Sequence, residues 1–325
     1  MNKQYDVYFY EAFEEEQEQL KKYMPDNINA GYTWKTIQEN GDDTPPAKTI
    51  SVRTQSILPL DWAGDLTAIL SRSTGYDHLL KYKRETNADV KLGYLPLYCN
   101  RSVAEQALTL WMALSRKLPV QTDSFKTFHR DGLTGNEIEG KSLLVVGVGN
   151  IGSEIVKIGQ GLGMTVYGVD LEEKYPFVDY TTFDVAVSKA DIIVCAMNLT
   201  TENENYFTYE KLSKAKPTAL FINIARGELS YSSELLKLMQ ENKLGGIGMD
   251  VYKDEAKLAV SLRSGEQVDS KEVDAVKELQ QYPNVIFTPH NSFNTQEAVV
   301  RKSEQSAEQL VQLFETGDFK WYAPE

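Results

Sequence analysis

The chain has 325 residues, 42% apolar and 25% charged, the composition of a globular protein with enough apolar residues for about two packed cores. Acidic residues outnumber basic ones 47 to 34, and the resulting charge of −13 opposes a polyanionic partner, so nucleic acid is excluded as the expected ligand. Cys99 and Cys195 stand far apart with no Cys-x-x-Cys partner, which argues against a disulfide framework or a zinc site, and no metal is expected.

The N-terminal stretch MNKQYDVYFYEAFEEEQEQL breaks its apolar run with acidic residues, unlike a signal peptide. No run approaches the ~18 apolar residues of a membrane span, so no membrane partner is expected and a reducing cytoplasm is the predicted compartment. Strand-like runs at Val7 to Tyr10, Thr49 to Val52 and Lys91 to Tyr94, alternating with helical stretches, predict a first, smaller α/β domain. From Ser102 to Leu118 the chain is rich in Ala and Leu and apolar nearly all round, which predicts a helix buried between two domains as their connector.

From about residue 142, six continuously apolar runs predict the strands of a doubly wound parallel sheet covered on both faces: Leu143 to Val146, Thr165 to Val169, Ile192 to Ala196, Ala219 to Ile224, Ile247 to Val251 and Val285 to Thr288. Ser232 to Met239 reads as a hydroxyl-capped crossover helix. Ala256 to Pro283 is longer than a usual crossover and carries the polar run Arg263 to Gln267; it is read as a surface excursion, with a lid or partner contact as the alternative. A last helix with apolar Ala298, Val299, Ala307, Leu310, Val311 and Phe314 is expected to pack back on the first domain. The predicted division is therefore residues 1–101 plus 293–325 and residues 102–292.

The first strand of the sheet runs into Gly147-Val148-Gly149-Asn150-Ile151-Gly152 and then a helical stretch. Such a turn needs Gly147 for tightness, Gly149 so that backbone amides can approach a pyrophosphate, and Gly152 for close helix packing. Asp170 ends the second strand 18 residues after Gly152, where a carboxylate accepts both ribose hydroxyls and repels a 2'-phosphate. The expected cofactor is NAD, not NADP.

Charged residues end the later strands: Arg226, then Glu255, then His290. A guanidinium can grip a carboxylate with two parallel bonds and fix an adjacent keto carbon, which a lysine cannot do. An imidazole, with an ordinary pKa of ~6.5, can give or take the proton that a ketone and its alcohol exchange near neutrality. A carboxylate beside it, here Glu255, would favour the imidazolium and orient the ring.

The segments SRSTGYDHL (71–79), YCNRSVAEQA (98–107), VVGVGNIG (145–152), INIARGEL (222–229), GMDVYKDE (248–255) and NVIFTPHNSFNT (284–295) together resemble the D-isomer-specific 2-hydroxyacid dehydrogenases, and among these the fermentative D-lactate dehydrogenases. The resemblance implies a Rossmann dinucleotide domain with a flavodoxin-like substrate domain, and a homodimer formed through the former. It implies Arg226, Glu255 and His290 as the catalytic set, with amides near Thr74 and Gly75 on the substrate carboxylate and Tyr98 and Phe293 beside its side chain. It also implies Asp250 near the nicotinamide, and Asn150, Ile151, Met197, Asn198, Asn203, Ile224 and Ala225 along the cofactor groove. Asn198 and Ala256 stand where relatives commonly carry proline.

The expected activity is NADH-dependent reduction of a small 2-keto acid, pyruvate first, to the D-2-hydroxy acid. Two alternatives stand beside it: a dehydrogenase for another D-2-hydroxy acid, and a binding protein of the same fold that senses NAD(H) without catalysis.

Overall fold

Short apolar runs separated by helix-forming stretches make two parallel sheets in the computed structural model, which describes residues 5–323. The chain divides into two units, one running to Cys99 and resuming at Asn294, the other Asn100–Phe293.

The first unit contains β1 (Val7–Phe9), α1 (Glu14–Tyr23), β2 (Ala30–Tyr32), α2 (Ile37–Asn40), β3 (Thr49–Val52), β4 (Ala68–Ser71), α3 (Asp77–Thr86) and β5 (Lys91–Gly93). Its five parallel strands lie in the flavodoxin-like order β2-β1-β3-β4-β5. Three of these strands are legible in the sequence; β2 and β4 are not. Ala30-Gly31-Tyr32 has little intrinsic strand preference and forms because the Tyr8 ring lies across Gly31, where a Cβ would come within 2.4 Å of it. Tyr10, Ile50, Val52, Trp62, Ile69 and Leu79 are among the residues that fill this unit's core.

The second unit contains α4 (Asn100–Ser115), α5 (Leu118–Ser124), β6 (Ser142–Val146), α6 (Asn150–Gly161), β7 (Thr165–Val169), β8 (Asp179–Tyr180), α7 (Phe183–Ala186), β9 (Ile192–Cys195), α8 (Tyr209–Leu212), β10 (Leu220–Asn223), α9 (Ser232–Gln240), β11 (Gly246–Met249), α10 (Glu255–Ser264), α11 (Lys271–Leu279) and β12 (Val285–Phe287). The chain then returns to the first unit with α12 (Gln296–Thr316), which packs on α1. The second sheet is doubly wound, in the order β12-β11-β10-β9-β6-β7-β8 and wholly parallel; the two-residue β8 joins the six strands read from the sequence. Its order reverses between β6 and β9, the switch point at which such sheets bind ligands.

Three readings of the sequence change. The predicted connector helix, α4, is part of the second unit and packs on α6, β10 and β11; a Cβ on Gly248 would meet Leu110 at 3.0 Å, so the glycines of β11 admit the helix. The 256–283 segment is no surface excursion throughout, because α11 buries Val273, Val276 and Leu279 and packs against α9. Each such side chain taken out of water is worth about 1.5–3 kcal/mol, enough to hold the helix down. Third, α9 has no hydroxyl cap: Tyr231 is its N-cap, and Ser233 instead donates its amide (3.0 Å) and hydroxyl (2.7 Å) to Glu272 of α11. The orphan amide of the first turn is thus satisfied by a neighbouring helix.

Candidate active site

At the switch point, β6 ends in the Gly-rich turn. Gly147 has φ +92°, and a Cβ there would stand 2.5 Å from the amide nitrogen of Met197 at the end of β9. Gly152 in the first turn of α6 has no room either, since its Cβ would lie 1.9 Å from the Gly147 carbonyl oxygen. Gly149 is the opposite case: it is the N-cap of α6, no side chain caps that end, and nothing stands within 4 Å of where its Cβ would be. The first two glycines close the turn on itself while the third leaves a clearing in front of a helix N-terminus, where amides and dipole favour a phosphate. Asp170, after β7, accepts the Val148 amide at 2.5 Å and the Leu171 amide at 2.7 Å, and it is exposed. Asn150 and Ile151 open α6, and Asn203 closes the loop after β9 by accepting the Thr200 amide and donating to the Asn198 carbonyl, both at 2.8 Å. Ile224 and Ala225 follow β10.

The carboxyl ends of β10, β11 and β12 lie side by side, with Asp250 N–H donating to Asn223 and Thr288 N–H to Met249. Here the structure brings Glu255 and His290 together: Nδ1 of His290 is 3.0 Å from each Glu255 carboxylate oxygen. One proton on Nδ1 shared by both oxygens fixes the ring and leaves Nε2 as its outward nitrogen. His290 itself sits at φ +51°, in the left-handed region. The backbone is held there by Asp250, which is fully buried and accepts the Asn291 and Ser292 amides together with the Thr288 and Ser292 hydroxyls. Asp250 was expected by the nicotinamide; its two oxygens are occupied by this turn.

Arg226 leaves β10 with half-buried surroundings, and its Nη1 donates to the Ala225 carbonyl at 2.9 Å. Its loop is held by Asn223, whose amide donates to the Arg226 carbonyl (2.9 Å) and the Ser230 hydroxyl (2.8 Å) and whose oxygen accepts the Ala225 amide (3.0 Å). In the first unit, Thr74 and Gly75 follow β4, and the Thr74 hydroxyl donates to the Leu95 carbonyl and meets the Cys99 thiol, both at 3.2 Å. Tyr98 is buried, with burial pushing its phenol well above the usual range and Cys99 adding to the rise. Phe293 closes the second unit, with its ring 6.5 Å from that of His290. Both cysteines are buried, and burial pushes both thiols up, Cys195 to about 12, which disfavours the thiolate a nucleophile needs.

Residues 108–292 match the NAD-binding domain of the D-isomer specific 2-hydroxyacid dehydrogenases. The chain belongs to that family. The dehydrogenase is similar to D-lactate dehydrogenase of Escherichia coli (strain K12), 30% identical over 233 residues that cover 69% of each chain. It is also similar to an aromatic 2-oxoacid reductase of Clostridium sporogenes, 31% identical over 65% of this chain and 64% of that one. Among solved structures, D-lactate dehydrogenase from Aquifex aeolicus, complexed with NAD and lactic acid, superposes with a TM-score of 0.83 at 25% identity, covering 98% of this chain and 100% of the other.

It is thus an NAD-dependent D-2-hydroxyacid dehydrogenase. Its residues fit the cofactor on their own evidence: the clearing over Gly149 at the N-terminus of α6 suits a pyrophosphate, and exposed Asp170 at the end of β7 suits a ribose. Among the described residues, no helix is long and apolar enough to cross a membrane. Sequence reasoning about the dehydrogenase missed Asn223, Thr288 and Ser292, the polar side chains that hold the reacting loops. For Asn223 a signal existed, an amide inside the apolar strand Leu220-Phe-Ile-Asn223, since a fully buried amide must find partners.

Proposed function

We propose that this dehydrogenase reduces a small 2-keto acid, with pyruvate as its substrate, to the D-2-hydroxy acid. The observation that carries the reading is the bidentate contact of His290 Nδ1 with Glu255, because it makes one ring nitrogen a fixed donor and the other a proton source. The Gly147 to Gly152 turn and Asp170 would hold NADH, which would supply the hydride for the keto carbon. His290 delivers its Nε2 proton to the carbonyl oxygen, and Glu255 holds the ring aligned through Nδ1. Arg226 grips the substrate carboxylate with its two-pronged guanidinium, joined by amides at Thr74 and Gly75, while Asn223 and Asp250 hold the two loops in register. Tyr98 and Phe293 border the substrate's side chain, and the likeness to D-lactate dehydrogenases supports a short one. The aromatic 2-oxoacid reductase among the relatives makes phenylpyruvate the substrate to compare.

The reading includes a homodimer and a cytoplasmic location. The first is supported by Phe125 and Phe128, 74% and 70% exposed and in edge-to-face contact, close in sequence to a hollow of about 430 Å³ lined by Ala113, Leu118, Pro119 and Ile286 together with the polar Thr122, Asp123 and Lys126. The second is supported by the sequence, where two cysteines 96 residues apart without a Cys-x-x-Cys partner fit a reducing compartment.

The test is NADH oxidation followed at the nicotinamide band with a panel of 2-keto acids, with His290→Ala and Arg226→Ala beside the parent. Turnover falls at least about a thousandfold in both variants with NADH binding near normal. Ordinary turnover in either variant refutes the assignment.

A further inference from the structure

Outside the reacting set, one side-chain cluster spans the three loops that leave β9, β10 and β11. Glu204 is on the first loop, Tyr231 on the second and Lys253 on the third. The Tyr231 hydroxyl donates to Glu204 Oε1 at 2.6 Å, and Lys253 Nζ donates to the same oxygen at 2.9 Å and to the Tyr231 hydroxyl. The ammonium also lies 3.7 Å from the Tyr231 ring centroid, and three-quarters of the lysine side chain is out of solvent.

The backbone already stitches neighbouring loops in pairs. Asn205 N–H donates to the Glu228 carbonyl at 2.7 Å and Phe207 N–H to Leu229 at 3.0 Å, joining the first loop to the second. Gly227 joins the second to the third, because a Cβ there would fall 1.9 Å from the Tyr252 carbonyl carbon. Lys253 ties the first loop to the third through Glu204. Its two anchors matter for position: Glu204 adjoins Asn203, whose side chain closes the 198–203 turn, and Lys253 stands two residues before Glu255.

We propose that Lys253 is a positioning residue of the dehydrogenase, holding the cofactor-side loop through Glu204 and Tyr231 in register with the loops that carry Arg226 and Glu255. This rests on the roles proposed above for Arg226 and Glu255 and on Asn203 lining the cofactor groove, as the resemblance implies. Burial alone would lower the lysine's pKa, but its bonds to Tyr231 and Glu204 push it up to about 12, so the clamp is charged over the whole working range. A plain surface ion pair would add a little stability and alter no ratio of kinetic constants.

The experiment measures NADH affinity by fluorescence titration, then steady-state constants, for Lys253→Met, Lys253→Arg and Glu204→Gln. Lys253→Met and Glu204→Gln each raise the Kd for NADH about fivefold, while the KM for the keto acid stays within about twofold. Lys253→Arg, which still donates to both partners, returns the Kd to within about twofold of the parent. An unchanged Kd in Lys253→Met or Glu204→Gln, or an arginine variant no better than the methionine one, overturns the proposal. Because the Kd is read without any keto acid, failure of the parent to turn over every 2-keto acid would count against the proposed substrate and leave this test standing.

Discussion

Asp250 controls the backbone of His290 without touching its ring: the buried carboxylate takes the amides of Asn291 and Ser292, at 3.0 and 2.9 Å, and the histidine just before them is bent to φ +51°. The left-handed region is costly for a side chain with a Cβ, so the turn persists because the carboxylate overdetermines it. Asp250→Ala leaves two amides and two hydroxyls without their acceptor, and kcat falls about a hundredfold as the imidazole loses its place. Stopped-flow and steady-state rates read this; a variant with normal kcat and an unaltered thermal midpoint would show that the turn holds itself.

The three glycines of the cofactor turn separate folding from binding. Gly152→Ala puts a methyl 1.9 Å from the Gly147 carbonyl oxygen, so it destabilises the protein by about 2 kcal/mol or more. Gly149→Ala meets nothing within 4 Å, so its denaturant midpoint stays at the parent's value while NADH affinity drops about tenfold. Equal stability losses in the two variants would contradict the reading of Gly149 as the clearing.

Asp170, an exposed carboxylate at the end of β7, is the residue proposed to set the dinucleotide preference. Asp170→Ala removes the repulsion of a 2'-phosphate and narrows the NAD over NADP ratio of kcat/KM by about tenfold or more. A parent enzyme that already prefers NADP would end this assignment.

A pH-sensitive cluster lies in the first unit. Glu16 of α1 meets Arg72 at 2.8 Å and Lys302 of α12 at 3.0 Å, all three fully buried. Burial alone would raise the Glu16 pKa, but Lys302 and Arg72 outweigh it and hold it at about 2. A carboxylate depressed in the folded state gives stability that is present above its ordinary 4.5 and is lost as pH falls from there towards 2. Lys302 goes the other way: burial pulls it from 10.5 down to about 8, so the unfolded chain holds the proton more tightly between those values and stability rises with pH across that window. Chemical denaturation from pH 3 to 10.5 should show both limbs, each of at most about 3 kcal/mol. Lys302→Met should abolish the alkaline limb, and its survival would place the titration elsewhere.

Phe125 and Phe128 offer the simplest check on assembly. Replacing both with Glu puts charge on the most exposed aromatic pair of the second unit and should convert a dimer to a monomer in light scattering coupled to size exclusion. A parent that already runs as a monomer removes the proposal.

The amino-acid sequence by itself determined the doubly wound sheet, the Gly-rich turn and the placement of Arg226, Glu255 and His290 at strand ends, because period, apolar runs and glycine spacing are local properties that chain order preserves. It could not reveal β2, which depends on the Tyr8 ring lying over Gly31, or that α11 is seated against α9. Asp250 entered the sequence reading only through the family resemblance, and Asn223 did not enter it as a site residue; their partners lie up to 42 residues away, and only the tertiary structure brings those groups to them. The same holds for Lys253, Glu204 and Tyr231, up to 49 residues apart. A buried donor or acceptor must be satisfied, and which group satisfies it is a long-range outcome of packing that no local pattern encodes.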